Sequence, residues 1–196
     1  EKANEYLTIA KEKRFTKEQL KVALLYSRGK GVIKNKEKGF FWTKIAAENG
    51  SSHAQANLAH YYLRNGPNYE LAEHYGIMSY KAGNQRGMWQ LSRVYRCKED
   101  DEQEIFYLEQ SVKAGYERGL VDLGIKYKEK NRKKEAIKAL KEAADKKLPK
   151  GMFHYGNELF NGKLVKKNIE EGLKMIESAA KIGCREAIQR VIDIYS

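Results

Sequence analysis

One register runs through the chain and decides what it can fold into. Tyr26, Tyr62, Tyr95, Tyr127, Leu159 and Tyr195 follow one another at separations of 36, 33, 32, 32 and 36 residues. Four residues before each stands Val22, Leu58, Leu91, Leu123, Tyr155 or Val191, and the residue after that is small in five cases: Ala23, Ala59, Ser92, Gly124 and Gly156. Residues four apart share one stripe of an α-helix, so each block predicts a helix with a large apolar stripe and a small neighbour beside it. A second helix follows in the same register. It opens on Gly39, Ala72, Ala136 or Gly172, with Glu104 as the exception. Trp42, Tyr75, Tyr107, Ala139 and Met175 come three residues later, then Ala46, Ser79, Ser111, Ala143 and Ala179. Small residues facing large ones let two helices approach closely. Ala47, Gly124 and Ala143 are therefore expected at close helix contacts.

The units close on Gly50, Gly83, Gly115 and Gly183, with Lys147 in the fourth place. Glycine is the usual left-handed residue after a helix. Between the helices of the first unit stand Gly29, Lys30 and Gly31. A phosphate-binding loop would need GxxxxGK followed by Ser or Thr, between a strand and a helix. Here Val32 follows Gly31, and the later turns RNGPN, CKEDD, KEKNR and FNGKLVKKN vary freely. Gly29 to Gly31 is therefore expected to be a connecting turn.

The period divides the chain into a half repeat at 1–14, repeats at about 16–50, 51–83, 84–115, 116–148 and 149–183, and a terminal helix at 185–196. Subtracting one period from Gly39, Trp42 and Ala46 gives Ala3, Tyr6 and Ala10, which makes residues 1–14 a second helix. About twelve helices and no β-sheet are expected. Scarce proline and 33% charged residues agree with an all-α chain. No apolar run approaches the ~20 residues that cross a bilayer. No signal peptide is visible, but the chain opens on Glu1 rather than Met, so a soluble protein is expected in either of two places: the cytoplasm, or outside it after removal of a signal peptide, the bacterial periplasm included. Cys97 and Cys184 have no partner spacing for a disulfide framework or a zinc site. His53 and His60 share a face without a third ligand. No nucleophile-elbow or other catalytic spacing occurs, so no enzyme, cofactor or small-molecule substrate is expected.

These residues resemble the Sel1-like repeats, relatives of the tetratricopeptide repeats. The family pattern is carried by Ala54, Leu58, Ala59, Tyr62 and Gly66, and by Gly29, Gly31, Val32, Gly39, Trp42, Ala46, Ala47 and Gly50. The resemblance covers the entire chain, and departs from the pattern in the shortened middle turns and the lack of the family's disulfide-bridged variants. It implies a right-handed α/α superhelix of about five repeats with half repeats at both ends. It also implies a concave face lined by first helices and a non-enzymatic adaptor or scaffold.

By analogy with tetratricopeptide repeats, four positions of each first helix point inward. They are Lys17, Leu20, Leu24 and Ser27; His53, Ala56, His60 and Leu63; Arg86, Trp89, Arg93 and Arg96; Arg118, Val121, Ile125 and Lys128; and Lys150, Phe153, Asn157 and Phe160. Trp and Arg most often carry binding energy at interfaces. The candidate partner-binding set is therefore Arg86, Trp89, Arg93, Arg96, Arg118, Lys150, Phe153 and His60, facing a protein with an acidic surface. The formal charge of +12 agrees with an acidic partner. Two alternatives stay open. One is an immunity protein that neutralises a secreted antibacterial toxin, a role found among bacterial members. The other is nucleic-acid binding, against which the inward residues do not recur in kind from repeat to repeat.

Overall fold

The computed structural model describes residues 15–196. Eleven helices occupy them: α1 Thr16–Arg28, α2 Lys36–Glu48, α3 Ser52–Arg64, α4 Tyr69–Lys81, α5 Gln85–Cys97, α6 Asp101–Lys113, α7 Gly119–Glu129, α8 Lys133–Asp145, α9 Pro149–Asn161, α10 Ile169–Lys181 and α11 Arg185–Tyr195. Among the described residues there is no strand. The half repeat at 1–14, with Ala3, Tyr6 and Ala10, lies outside them. The chain divides into two compact units, one ending at Ala114 and the other starting at Gly115. In the first, the hairpins α1–α2, α3–α4 and α5–α6 pack in sequence order, and α3 also touches α5. In the second, α7–α8 and α9–α10 are followed by α11, and α9 touches α7 and α11. This is the solenoid that the register predicts.

Local chemistry sets where each helix stops. Gly50 takes φ +95°, and the next amide, Ser51 N, donates to Ala46 O at 2.9 Å. That six-to-one bond closes the helix, and glycine adopts the left-handed φ without a Cβ clash. Ser51 then accepts from Ala54 N, so one tight loop ends α2 and begins α3. Lys147 holds the same place at φ +56° without glycine's freedom. Asn or Asp caps four second helices: Asn35 accepts from Lys38 N, Asn68 from Leu71 N, Asp100 from Gln103 N and Asn168 from Glu171 N. At the turn that a phosphate loop would occupy, the amides of Gly29 and Lys30 both donate to Leu25 O, at 2.8 and 3.2 Å. They cap α1.

Small residues sit where the helices come closest. Ala46, Ala47, Ala143 and Ala179 are fully buried. A Cβ on Gly124 would lie 2.7 Å from Leu140 Cδ2, and one on Gly151 would lie 2.5 Å from Ala143 Cβ. The seam between α9 and α10 is as close: a Cβ on Gly172 would lie 2.6 Å from Phe160 N and 2.7 Å from Gly156 O. Large residues fill the space beside these seams. Tyr62 stacks on Tyr75 and Tyr95 on Tyr107, with centroids 5.8 and 5.3 Å apart. Tyr95 Oη donates to Glu73 Oε1 at 2.6 Å, and burial with that carboxylate pushes the phenol pKa upward. At α11, Ala187 and Val191 pack on Ile176 and Ala179, and Ile194 is half-buried. Ile192 stands where the other first helices have a small residue and is 52% exposed.

Candidate functional site

The site is built from first helices of neighbouring repeats. In the first unit, Arg86 Nη1 on α5 donates to Asn57 Oδ1 on α3 at 2.8 Å. Two turns further along α5, and one along α3, Arg93 Nη1 lies 3.0 Å from His60 Nδ1 and 3.0 Å from Gln90 Oε1. The same guanidinium sits over Trp89, 5.1 Å from the ring centroid. Two parallel ties therefore join α3 to α5, and Trp89 lies half-buried beside them. Arginine has only donors, so the His60 Nδ1 facing it must be a bare acceptor and the ring proton must be on Nε2. Burial, followed by the charges of Arg93, Arg86 and Arg64, holds His60 below the ordinary histidine value of 6.5, while Gln90 acts in the opposite direction.

A groove of about 380 Å³ opens next to these ties, between α1, α2 and α3. Leu24, Phe40, Leu58 and Tyr61 supply its apolar surface, and Ser27, Thr43, Asn57, Asn65, His60 and Lys36 its polar one. Phe40 and Tyr61 meet with ring centroids 4.4 Å apart. Asn57 and His60 belong both to the groove and to the ties, so the groove wall carries Arg86 and Arg93 directly behind it. No acidic residue lines the groove. It has the shape and polarity to seat an apolar side chain flanked by anions.

Other predicted residues lie elsewhere. Arg96 Nε is 2.5 Å from Glu104 Oε1, and the Glu104 side chain is wholly buried. That pair explains the one large residue at a position that is otherwise small. Lys150 on α9 pairs with Glu186 on α11 at 2.8 Å, which lowers the Glu186 carboxyl to about 2 and raises Lys150. Phe153 packs against Ile176, Ala179, Cys184 and Ala187. Arg118 is the N-cap of α7 and exposed. Arg118, Lys150 and Phe153 belong to the second unit. Ala56 and Val121, two of the residues expected to point inward, are buried, at 0% and 5% exposure. At the same register position Leu20, Trp89 and Phe153 are half-buried.

The second unit has a cavity of its own, about 440 Å³, lined by Ile125, Lys128, Glu129, Leu140, His154 and Glu158. Lys128 reaches the buried carboxylate of Glu158 across α7 and α9. His154 is held below its ordinary pKa, first by burial and then by Lys150. Among the described residues, no three His, Cys, Asp or Glu side chains converge as a metal site. No helix there is long and apolar enough to cross a membrane. Cys97 is exposed and Cys184 buried, both as free thiols.

Sequence reasoning missed Asn57, Gln90, Phe40 and Tyr61. Asn57 and Gln90 each immediately precede the apolar residue of their repeat, a shared position that was the available signal.

Three stretches of the chain, residues 19–51, 52–84 and 149–184, match the family model of the Sel1 repeat. The unmatched middle contains the two hairpins with short turns, at 98–100 and 130–132. Among solved structures, the chain is 26% identical to c5321, a protective antigen of uropathogenic Escherichia coli strains displaying an SLR fold. That superposition has a TM-score of 0.81 and covers 92% of this chain but 41% of the antigen, so the chain spans about two fifths of that relative. A Sel1 repeat protein from Oxalobacter formigenes, 18% identical, superposes with a TM-score of 0.82 over 92% of this chain and 78% of its own. YrrB, a TPR protein with an unusual peptide-binding site, is 16% identical and gives 0.58 over 96% and 97%. No curated protein matches the chain.

Proposed function

The chain belongs to the Sel1 repeat family, and from that membership we propose that it is a non-enzymatic scaffold that holds an acidic protein segment on its first unit. Repeats of this kind are in general scaffolds for protein–protein interaction. The observation that carries the narrower reading is the groove at α1, α2 and α3. Its apolar surface, free of acidic residues, is backed by Arg86 and Arg93 through Asn57 and His60. An aliphatic or aromatic side chain would fill it, and carboxylates on either side would meet the arginines and Lys36. Guanidinium groups suit such pairing because they are planar and multiply donating. Arg118, Lys150 and Phe153 are proposed as further contact residues on the second unit. Arg96, whose Nε faces the buried Glu104, is proposed as one too, through the exposed part of its side chain.

The test compares wild type with a Trp89→Ala, Arg93→Glu double variant as bait in the source organism, followed by titration of the purified partner against both. Loss of a central interface anchor should weaken binding by about 2–4 kcal/mol, and a remote surface change such as Lys138→Ala by far less. A partner that binds both baits equally would remove the site from this face. Capture that disappears after nuclease treatment would replace the protein reading with a nucleic-acid one. Capture of a secreted antibacterial toxin whose activity the protein abolishes would make the scaffold an immunity protein.

A further inference from the structure

We propose that His60 is a proton-controlled clasp on Arg93: neutral, the ring holds the guanidinium beside Trp89, and protonated, it releases that guanidinium from α3. The significance for binding rests on reading the first-unit groove as the partner site, but the clasp itself does not.

The geometry leads there in three steps. Arg93 Nη1 and His60 Nδ1 are 3.0 Å apart, and the arginine nitrogen can only donate. A hydrogen bond therefore exists only while Nδ1 carries no proton. An imidazolium has N–H at both nitrogens, so protonation turns this bond into two cations at contact distance.

The surroundings set the direction of the change. From α5, His60 faces Arg93, Arg86 and the neutral Gln90, and from its own helix it faces Arg64. From α2, Lys36 lines the same groove, while α1 contributes only the uncharged Leu24 and Ser27. The charged groups that act most on the ring, Arg93, Arg86 and Arg64, are all cations, no group of the packed helix α4 stands among them, and no carboxylate lines the groove. A proton on His60 is accommodated by separation of the ring from Arg93. Burial and these charges keep the ring neutral at neutral pH, so the tie is closed there and opens on acidification.

The groove gives the opening a consequence. The ring also lines the pocket, so a protonated His60 that has left Arg93 presents its N–H donors to the bound segment. An acidic segment interacts better with that state than with the neutral one. By linkage, such a segment raises the pKa of His60, and its binding tightens as pH falls from 7 toward 6.

The experiment uses the full chain without a partner. Side-chain NMR follows His60, and the indole N–H of Trp89, resolved from Trp42, follows the guanidinium above it, from pH 8 to 5. His60 should titrate with a midpoint below 6.5, starting from the Nε2–H tautomer, and the Trp89 resonance should move with the same midpoint. In His60→Gln, whose amide oxygen accepts from Arg93 at every pH, the Trp89 transition should vanish. In Arg93→Gln, the His60 midpoint should rise toward 6.5. A Trp89 resonance that stays flat through the His60 titration would overturn the clasp. So would a Trp89 transition retained in His60→Gln, or an unmoved His60 midpoint in Arg93→Gln. Because no ligand is present, a groove that binds nothing leaves these results intact, and a clasp that fails leaves partner capture intact.

Discussion

Replacing Gly172 with Ala adds one methyl group at a close backbone-to-backbone seam in the second unit. An ideal Cβ there would lie 2.6 Å from Phe160 N, 2.7 Å from Gly156 O and 3.0 Å from Phe160 Cα. Ordinary contact starts at 3.4 Å, and all three obstacles are backbone, so no side-chain rotation can make room. Helices α9 and α10 must separate by several tenths of an ångström. A gap of about 0.5–1 Å forfeits roughly a quarter to a half of each dispersion contact it opens. The side chains beside this seam include Tyr155, Leu159, Met175 and Ile176, so the loss falls on well-packed groups. Overpacking of this kind costs about 1–3 kcal/mol. Alanine recovers about 0.8–1.0 kcal/mol over glycine in helix propensity, which leaves a net destabilisation of roughly 1–2 kcal/mol. Gly76→Ala is the matched comparison, because its Cβ would meet only the Leu91 side chain, nearest at 2.7 Å, and a side chain can shift. Urea denaturation gives the net difference. Hydrogen exchange locates it, with α9 and α10 amides losing about 5–30-fold in protection for 1–2 kcal/mol. If Gly172→Ala proved as stable as wild type, or no worse than Gly76→Ala, the seam would be loose and the reasoning from small residues wrong.

Two further changes test the polar and turn chemistry. Arg96→Ala strips the carboxylate of the buried Glu104 of this cation and should cost about 2–4 kcal/mol, below the full buried-pair range because the Arg96 side chain is 48% exposed. The double change Arg96→Ala, Glu104→Ala restores the small residue of the other repeats and should recover most of that loss in thermal denaturation. At Lys147, with φ +56°, glycine should relieve a left-handed strain and raise stability by about 1 kcal/mol. Asn131→Gly, at φ +58°, should gain less, because asparagine tolerates that region.

The same comparison of residues shows why the fold was legible and the site only partly so. Gly124, Gly156, Gly172 and Ala143 reveal the helix seams from sequence because every hairpin has to solve the same problem of close approach, and a shared problem leaves a periodic trace. The left-handed turn residues repeat for the same reason, with Lys147 still in register although glycine is gone. Polar ties follow a different logic. Arg86 reaches Asn57, Arg93 reaches His60 and Lys150 reaches Glu186, each about one repeat away, but the residue types that make the pair differ from seam to seam. Periodicity could therefore nominate Arg86, Trp89 and Arg93 as residues on one face, but not the partners that hold them. Arg96 shows how a departure from the register carries information of its own. Glu104 stood out as a carboxylate in a place reserved for small residues, and a buried carboxylate needs a cation. The nearest arginine before it, across the turn at 98–100, was Arg96. That exception in the register assigns Arg96 Nε to the buried carboxylate.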